Sequence, residues 1–122
     1  TFNEERGLFK TVDGGKSWDK ILYISDNVGV IEVEMDPTDS KILYACAWER
    51  DRKAWGHIVG GEGSALYKSV DAGKTWKKLT KGLPQGKHVG RLGVEVSLSD
   101  PNVVYVQGLW TNLDLDHRKF AL

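Results

Sequence analysis

The chain has 122 residues, and its 17 Lys and Arg balance 17 Asp and Glu to a formal net charge of zero, so no global field draws it to nucleic acid or to an anionic membrane. That length suffices for one domain with a core, yet the apolar runs are only a few residues long and cannot span a bilayer as a helix. Cys46 is the single cysteine, which excludes an internal disulfide. The opening run Thr1–Arg6 has neither an initiator Met nor an apolar signal region, and reads as a start inside a longer sequence. In chain order, residues 6–12 and 17–24 predict two strands joined by the turn Asp13-Gly14-Gly15-Lys16. Residues 28–35 follow, where Val30, Glu32 and Glu34 alternate with Ile31, Val33 and Met35 in a period of two. The cluster Asp36-Pro37-Thr38-Asp39-Ser40 is a turn, and 41–48 is almost continuously apolar, as in a strand covered on both faces. A long connection over 49–64 precedes strands 65–70 and 75–80, which flank the turn Asp71-Ala72-Gly73-Lys74. Strands 90–98 and 103–109, joined through Ser99-Asp100-Pro101-Asn102, complete the set. No window carries a helical period with caps.

A repeat organises these elements. Gly7 to Trp18 matches Ala65 to Trp76 position by position: small, Leu, aromatic, Lys, hydroxyl, Val, Asp, small, Gly, Lys, hydroxyl, Trp. The offset from Asp13 to Asp71 is 58 residues. The segment beginning Val28-Gly29 matches that beginning Val89-Gly90, and the match continues from Asp39 to Asp100 and from Tyr44 to Tyr105, at an offset of 61 residues. The unit has four strand positions, lettered a (28–35, 90–98), b (41–48, 103–109), c (6–12, 65–70) and d (17–24, 75–80), and the chain runs c-d-a-b-c-d-a-b. Short antiparallel strands repeated in this way predict an all-β, propeller-type arrangement of four-stranded blades, about two blade equivalents in all.

The c–d turn has its own chemistry. An Asp at a turn accepts hydrogen bonds from backbone N–H groups a few residues on. Gly15 and Gly73 admit positive φ, Ser17 and Thr75 can bond back across the turn, and Trp18 and Trp76 bring large apolar rings to the start of strand d. These six residues, with Asp13 and Asp71, therefore read as structural first. Thr11-Val-Asp-Gly-Gly-Lys-Ser-Trp18 and Ser69-Val-Asp-Ala-Gly-Lys-Thr-Trp76 resemble the Asp-box (BNR) repeats of sialidases, xyloglucanases and sortilin-type propellers. Asp36-Pro37 followed by Leu43-Tyr44-Ala45, Trp48-Glu49-Arg50 and Gly63 resembles the sortilin-like bacterial BNR proteins, and the resemblance covers residue 4 to about 107. It implies a binding or scaffold propeller with a glycan or polypeptide ligand, in a secreted or periplasmic setting; the alternative it implies is part of a glycoside hydrolase. Activity does not follow from the repeat, because Asp-boxes occur in enzymes and binders alike. The expected division is a half blade over 1–24, a complete blade over 25–80, a half blade over 81–108 and an unplaced tail over 109–122.

In a four-stranded blade the a–b and c–d turns share one end and the b–c and d–a connections the other. The resemblance implies ligand binding at the second end. There the 49–64 connection is long for a hairpin, and long loops tend to carry function. Trp55 with Arg50 or Arg52 would supply a cation–π platform, and His57, Lys87, His88 and Arg91 stand near it in this scheme. In the competing reading Trp48 and Trp55 pack the loop down and its charges solvate it. Glycoside hydrolysis needs paired carboxylates; Asp26, Glu49, Asp51 and Glu62 fall at this end, with no spacing that pairs them, and the Arg-Ile-Pro signature of sialidases is absent. No cofactor and no metal are expected; Asp114-Leu115-Asp116-His117 is too ordinary a cluster to predict one, and Arg50–Lys53 is too short and mixed for a nucleic-acid patch. The leading and trailing half blades are expected to expose apolar faces, including Ile21, Leu22, Val94 and Val104, and to associate with each other or with further blades.

Overall fold

A computed structural model describes residues 4–49, 51–53, 56–58, 61–86 and 88–110, with only the backbone described over 51–53, 56–58 and at 110. The fold is all-β, and the ten elements among the described residues are all strands: β1 (Leu8–Lys10), β2 (Asp19–Leu22), β3 (Val28–Met35), β4 (Leu43–Glu49), β5 (Asp51–Lys53), β6 (Gly56–Ile58), β7 (Ala65–Ser69), β8 (Lys77–Leu79), β9 (Val89–Val96) and β10 (Val104–Trp110). They form small antiparallel sheets. The largest has four strands in the order β3-β4-β7-β8, which is the expected a-b-c-d order. β1 pairs with β2, β9 with β10, and β5 with β6.

The alternation of the strands decides what is buried. On one face of the central sheet, Tyr44, Cys46 and Leu66 meet Leu92, Val94, Val96 and Val106 of the β9–β10 sheet, with Val89 closing the cluster. Cys46 is wholly enclosed, and burial, with a smaller contribution from Glu32, pushes its thiol up to about 12. The opposite face carries Leu43, Ala45 and Ala47 and lies toward β1–β2: the δ-methyl of Ile21 lies over Gly73 beside Leu43, and Lys10 Nζ donates to Ala72 O at 3.0 Å.

Four expectations need correction. Leu22 and Val94 are not exposed: they retain 8% and 4% of their surface, and Ile21 and Val104 are half-buried, because each two-stranded sheet has turned its apolar side onto the central one. The 49–64 connection is not all loop, since β5 and β6 pair within it. These are strands of three residues with mixed charge, too short to show a period. Leu109 and Trp110 belong to β10 rather than to a tail; 111–122, with Asp114–His117, lie outside the described residues. On β3 the register shifts between Val30 and Glu32, and Ile31, Val33 and Met35 stay 36%, 45% and 52% exposed. A bulge of this kind breaks the simple alternation read from the sequence.

Candidate functional site

Hydrogen bonds sort the connections into two ends. At one end the Asp71–Lys74 turn docks on the preceding Asp-Pro turn, with Ala72 N donating to Lys41 O at 2.9 Å. Asp36 closes that Asp-Pro turn by accepting from Thr38 N at 2.7 Å, Thr38 Oγ1 at 2.8 Å and Asp39 N at 3.2 Å. The Thr38 amide is the main reason its carboxyl lies below the usual range.

The two Asp-centred hairpins, β1–β2 and β7–β8, share one wiring. Asp13 Oδ1 accepts from Lys16 N and Ser17 N, both at 2.9 Å, and Oδ2 accepts from Ser17 Oγ at 2.6 Å. Asp71 Oδ1 accepts from Thr75 N at 2.8 Å, and Oδ2 from the Thr75 hydroxyl. The Ser17 hydroxyl, then its amide, holds Asp13 far below the ordinary carboxylate range, and Thr75 in the same way holds Asp71 to about 2. Two residues absent from the eight named from sequence complete the device. Thr11 Oγ1 donates to Asp13 Oδ1 at 2.8 Å and accepts from Gly15 N at 2.9 Å; Ser69 Oγ does the same for Asp71 and Gly73, at 2.8 and 2.9 Å. The matched hydroxyls of the repeat were the available signal. The central positions have left-handed backbone, with φ of 75° and 97° at Gly14 and Gly15 and 63° and 94° at Ala72 and Gly73. Trp76 is half-buried and donates its Nε1–H to Gly73 O at 3.0 Å, whereas Trp18 is 58% exposed.

The other end gathers the b–c and d–a segments. Glu49, at the close of β4, accepts from Asn27 Nδ2 at 2.8 Å and from Gly63 N at 2.9 Å, while its own amide donates to the buried Ser64 Oγ at 2.8 Å. Gly61 N donates to Val89 O at 3.0 Å. A Cβ at Gly61 would stand 2.2 Å from the Glu49 carboxylate, so the loop closes only over glycine. Glu49 is thus a clamp between the 23–27 turn and the return of the long loop. Its two oxygens are already engaged by that loop and turn. Asp26 takes the Tyr23 hydroxyl, and Glu62 is exposed with its carbonyl accepting from Lys78 Nζ at 3.2 Å.

The β5–β6 hairpin lies within this long connection, with Arg52 and His57 directly paired in register. His88 is half-buried immediately before β9, next to the Val89 carbonyl that holds Gly61. Arg50, Trp55 and Lys87 of the expected platform lie outside the described residues. A separate pair of shallow, adjoining grooves, about 470 and 390 Å³, runs beside β3, β9 and β10 between Glu32, Arg91, Gln107 and Tyr105. Sequence reasoning missed it because Glu32 reaches it from the neighbouring repeat, accepting from Val94 N at 3.3 Å. Among the described residues no group of His, Cys, Asp and Glu is placed to hold a metal, and no helix is long and apolar enough to cross a membrane.

No protein-family model matches the chain, and no solved structure matches it. The chain is 26% identical over 104 residues to the vacuolar protein sorting/targeting protein 10 of Colletotrichum graminicola, a match that takes in 85% of this chain and 6% of that protein. The chain therefore spans a small part of that relative's length, and the likeness supports a sortilin-like relationship and nothing finer.

Proposed function

We propose that the chain is a segment of a binding or scaffold propeller of the sortilin-like Asp-box type, and that its ligand, a glycan or a polypeptide, meets the end formed by the b–c and d–a segments. One observation carries this reading: Glu49 and Gly61 fasten the base of the long loop to both Asn27 and Val89. A fixed base is what a binding loop needs, because less ordering is left to be done when the ligand arrives. Arg50, Arg52, Trp55, His57, Lys87 and His88 are the residues proposed to meet the ligand.

The glycoside hydrolase alternative is less well supported. Asp13, Asp36, Asp71 and Glu49 each accept hydrogen bonds from their own turn or loop, and a carboxylate so engaged is a poor acid or nucleophile. Chemical-shift mapping against panels of oligosaccharides and short peptides tests the proposal. Shifts gathered on Arg52, His57, Gly61 and His88 are the expected result. Shifts centred on Asp13 and Asp71 would place the ligand at the wrong end, and release of reducing sugar from a polysaccharide would favour the hydrolase.

A further inference from the structure

We infer that the outer strand of the four-stranded sheet, β8 with the turns that flank it, is a binding edge for a sulfated polysaccharide. Charge is distributed unevenly between the repeats. From Ala72 to Val94 the chain has Lys74, Lys77, Lys78, Lys81, Lys87 and Arg91 and not one Asp or Glu. The matching stretch of the first repeat, 14–30, is balanced, with Lys16 and Lys20 against Asp19 and Asp26. A net charge of zero over the whole chain therefore conceals a local positive field.

The strand ladders carry the same difference. In β1–β2 Lys10 stands opposite Asp19, an attractive pair, whereas in β7–β8 the same positions set Lys68 opposite Lys77. Like charges directly opposite each other destabilise a sheet, and an anion laid against the edge relieves the repulsion. The nearby carboxylates are engaged by their own turns: Asp71 by Thr75 and Ser69, and Asp36, near Lys68, by Thr38 and Asp39. Glu62 offers Lys78 Nζ only its carbonyl, a neutral acceptor, at 3.2 Å. Lys74, Lys77, Lys78 and Lys81 are all exposed, and β8 is the terminal strand of a sheet that already has its a, b, c and d strands. The place in the blade sets this exposure. Lys16, Asp19, Lys20 and Tyr23, at the matching places of the first hairpin, are exposed too, although the central sheet packs against that hairpin.

The form of the row selects its ligand. Lys77 and Lys78 are successive on the strand and point to opposite faces, so they do not converge on one small anion. A linear polyanion running along the edge meets the ammonium groups in turn. β8 offers only three residues for backbone pairing, and lysines on an edge discourage a further strand, which disfavours an acidic peptide. Trp76 is the one Trp, Tyr or Phe between Ala72 and Val94. It is half-buried and held to Gly73 O, so the row has no free ring on which nucleic-acid bases could stack. Lysine, a compact point charge with rotatable donors, suits sulfate groups spaced along a flexible chain. This edge serves whether or not the 49–64 loop binds a ligand of its own.

Isothermal titration of the 122-residue chain with a heparin oligosaccharide at low salt tests this. Binding is expected, and should fade as salt rises. Lys77→Asp reverses one charge of the row and should weaken binding about tenfold or more. It should not lower the melting temperature, since it reproduces the Lys10–Asp19 pair. Lys81→Tyr, which likewise copies the first hairpin, should weaken binding by a smaller factor. Lys16→Asp, the same reversal on the balanced hairpin, should leave it nearly unchanged. Amide shifts on adding heparin should gather on 74–81. Equal losses from Lys16→Asp and Lys77→Asp, equally tight binding of poly-glutamate or duplex DNA at the same salt, or shifts gathered on Arg52 and His57 instead would overturn the inference.

Discussion

The two Asp-centred hairpins, the first and the second box, are the same turn in two different settings. Asp13 and Asp71 accept from the same positions, Thr11 and Ser69 brace the same amides, and the left-handed pairs Gly14–Gly15 and Ala72–Gly73 have nearly the same φ. Yet Ser69 and Gly73 are buried, while Gly15 is exposed and Trp18 keeps 58% of its surface. The difference is what lies across the turn: Ile21 and Lys10 of the preceding hairpin cover the second box, and among the described residues nothing equivalent covers the first. Local chemistry therefore makes the turn, and the neighbouring hairpin buries it.

The largest expected effect separates the two tryptophans. Trp76→Ala should cost about 2–3 kcal/mol, somewhat less than the loss of a fully buried Trp, whereas Trp18→Ala, at an exposed ring, should cost under about 1 kcal/mol. Equal falls in melting temperature would mean that the first box is buried as well.

The glycines sharpen the comparison further. Gly15→Ala pays only for a Cβ at positive φ, about 1–2 kcal/mol. Gly73→Ala adds a displacement of the Ile21 δ-methyl, about 1 kcal/mol more. Gly73→Ala in an Ile21→Ala background should fall back to the Gly15 value; a penalty that survives the truncation would show that Ile21 is not what covers the turn.

How much of this was open to sequence reading follows from the same division. The strands and their a-b-c-d order were legible, because each turn carries its own Asp, Gly or Pro and the repeat fixes the register. Turn chemistry was legible at Asp13, Ser17, Asp71 and Thr75, while the bracing role of Thr11 and Ser69 needed the backbone path to show which amides point at them. Burial was not legible. Leu22 and Val94 read as exposed because a sequence does not say how one sheet leans on the next. Nor was the role of Glu49, whose partners Asn27 and Gly63 are distant in sequence and come together only through the sheet. The bulge at Ile31 and the short β5–β6 pair left no period to detect.

Acid should act on the two boxes alike, but in sequence. Both carboxyls lie below the unfolded value of about 3.9, so each contributes stability that is present above that pH and is lost as pH falls through its folded value. Asp71 reaches that point at about 2, and Asp13 lower still, held there by the Ser17 hydroxyl. The melting temperature should decline from about pH 4 downward, and Asp71→Asn should flatten the earlier part of the decline. An Asp71→Asn profile parallel to that of the unaltered chain would remove the box carboxylate from the account.

Amide hydrogen exchange at Gly15 and Gly73 tests the central claim most directly. Each N–H donates to a hydroxyl at 2.9 Å, Thr11 Oγ1 in one box and Ser69 Oγ in the other, so the local bond is the same. In dilute solution Gly73 should exchange far more slowly than Gly15, because only its turn is closed over by a neighbouring hairpin. Equal protection at the two amides would contradict the account, and would mean that the turn alone, without its neighbour, sets its own stability.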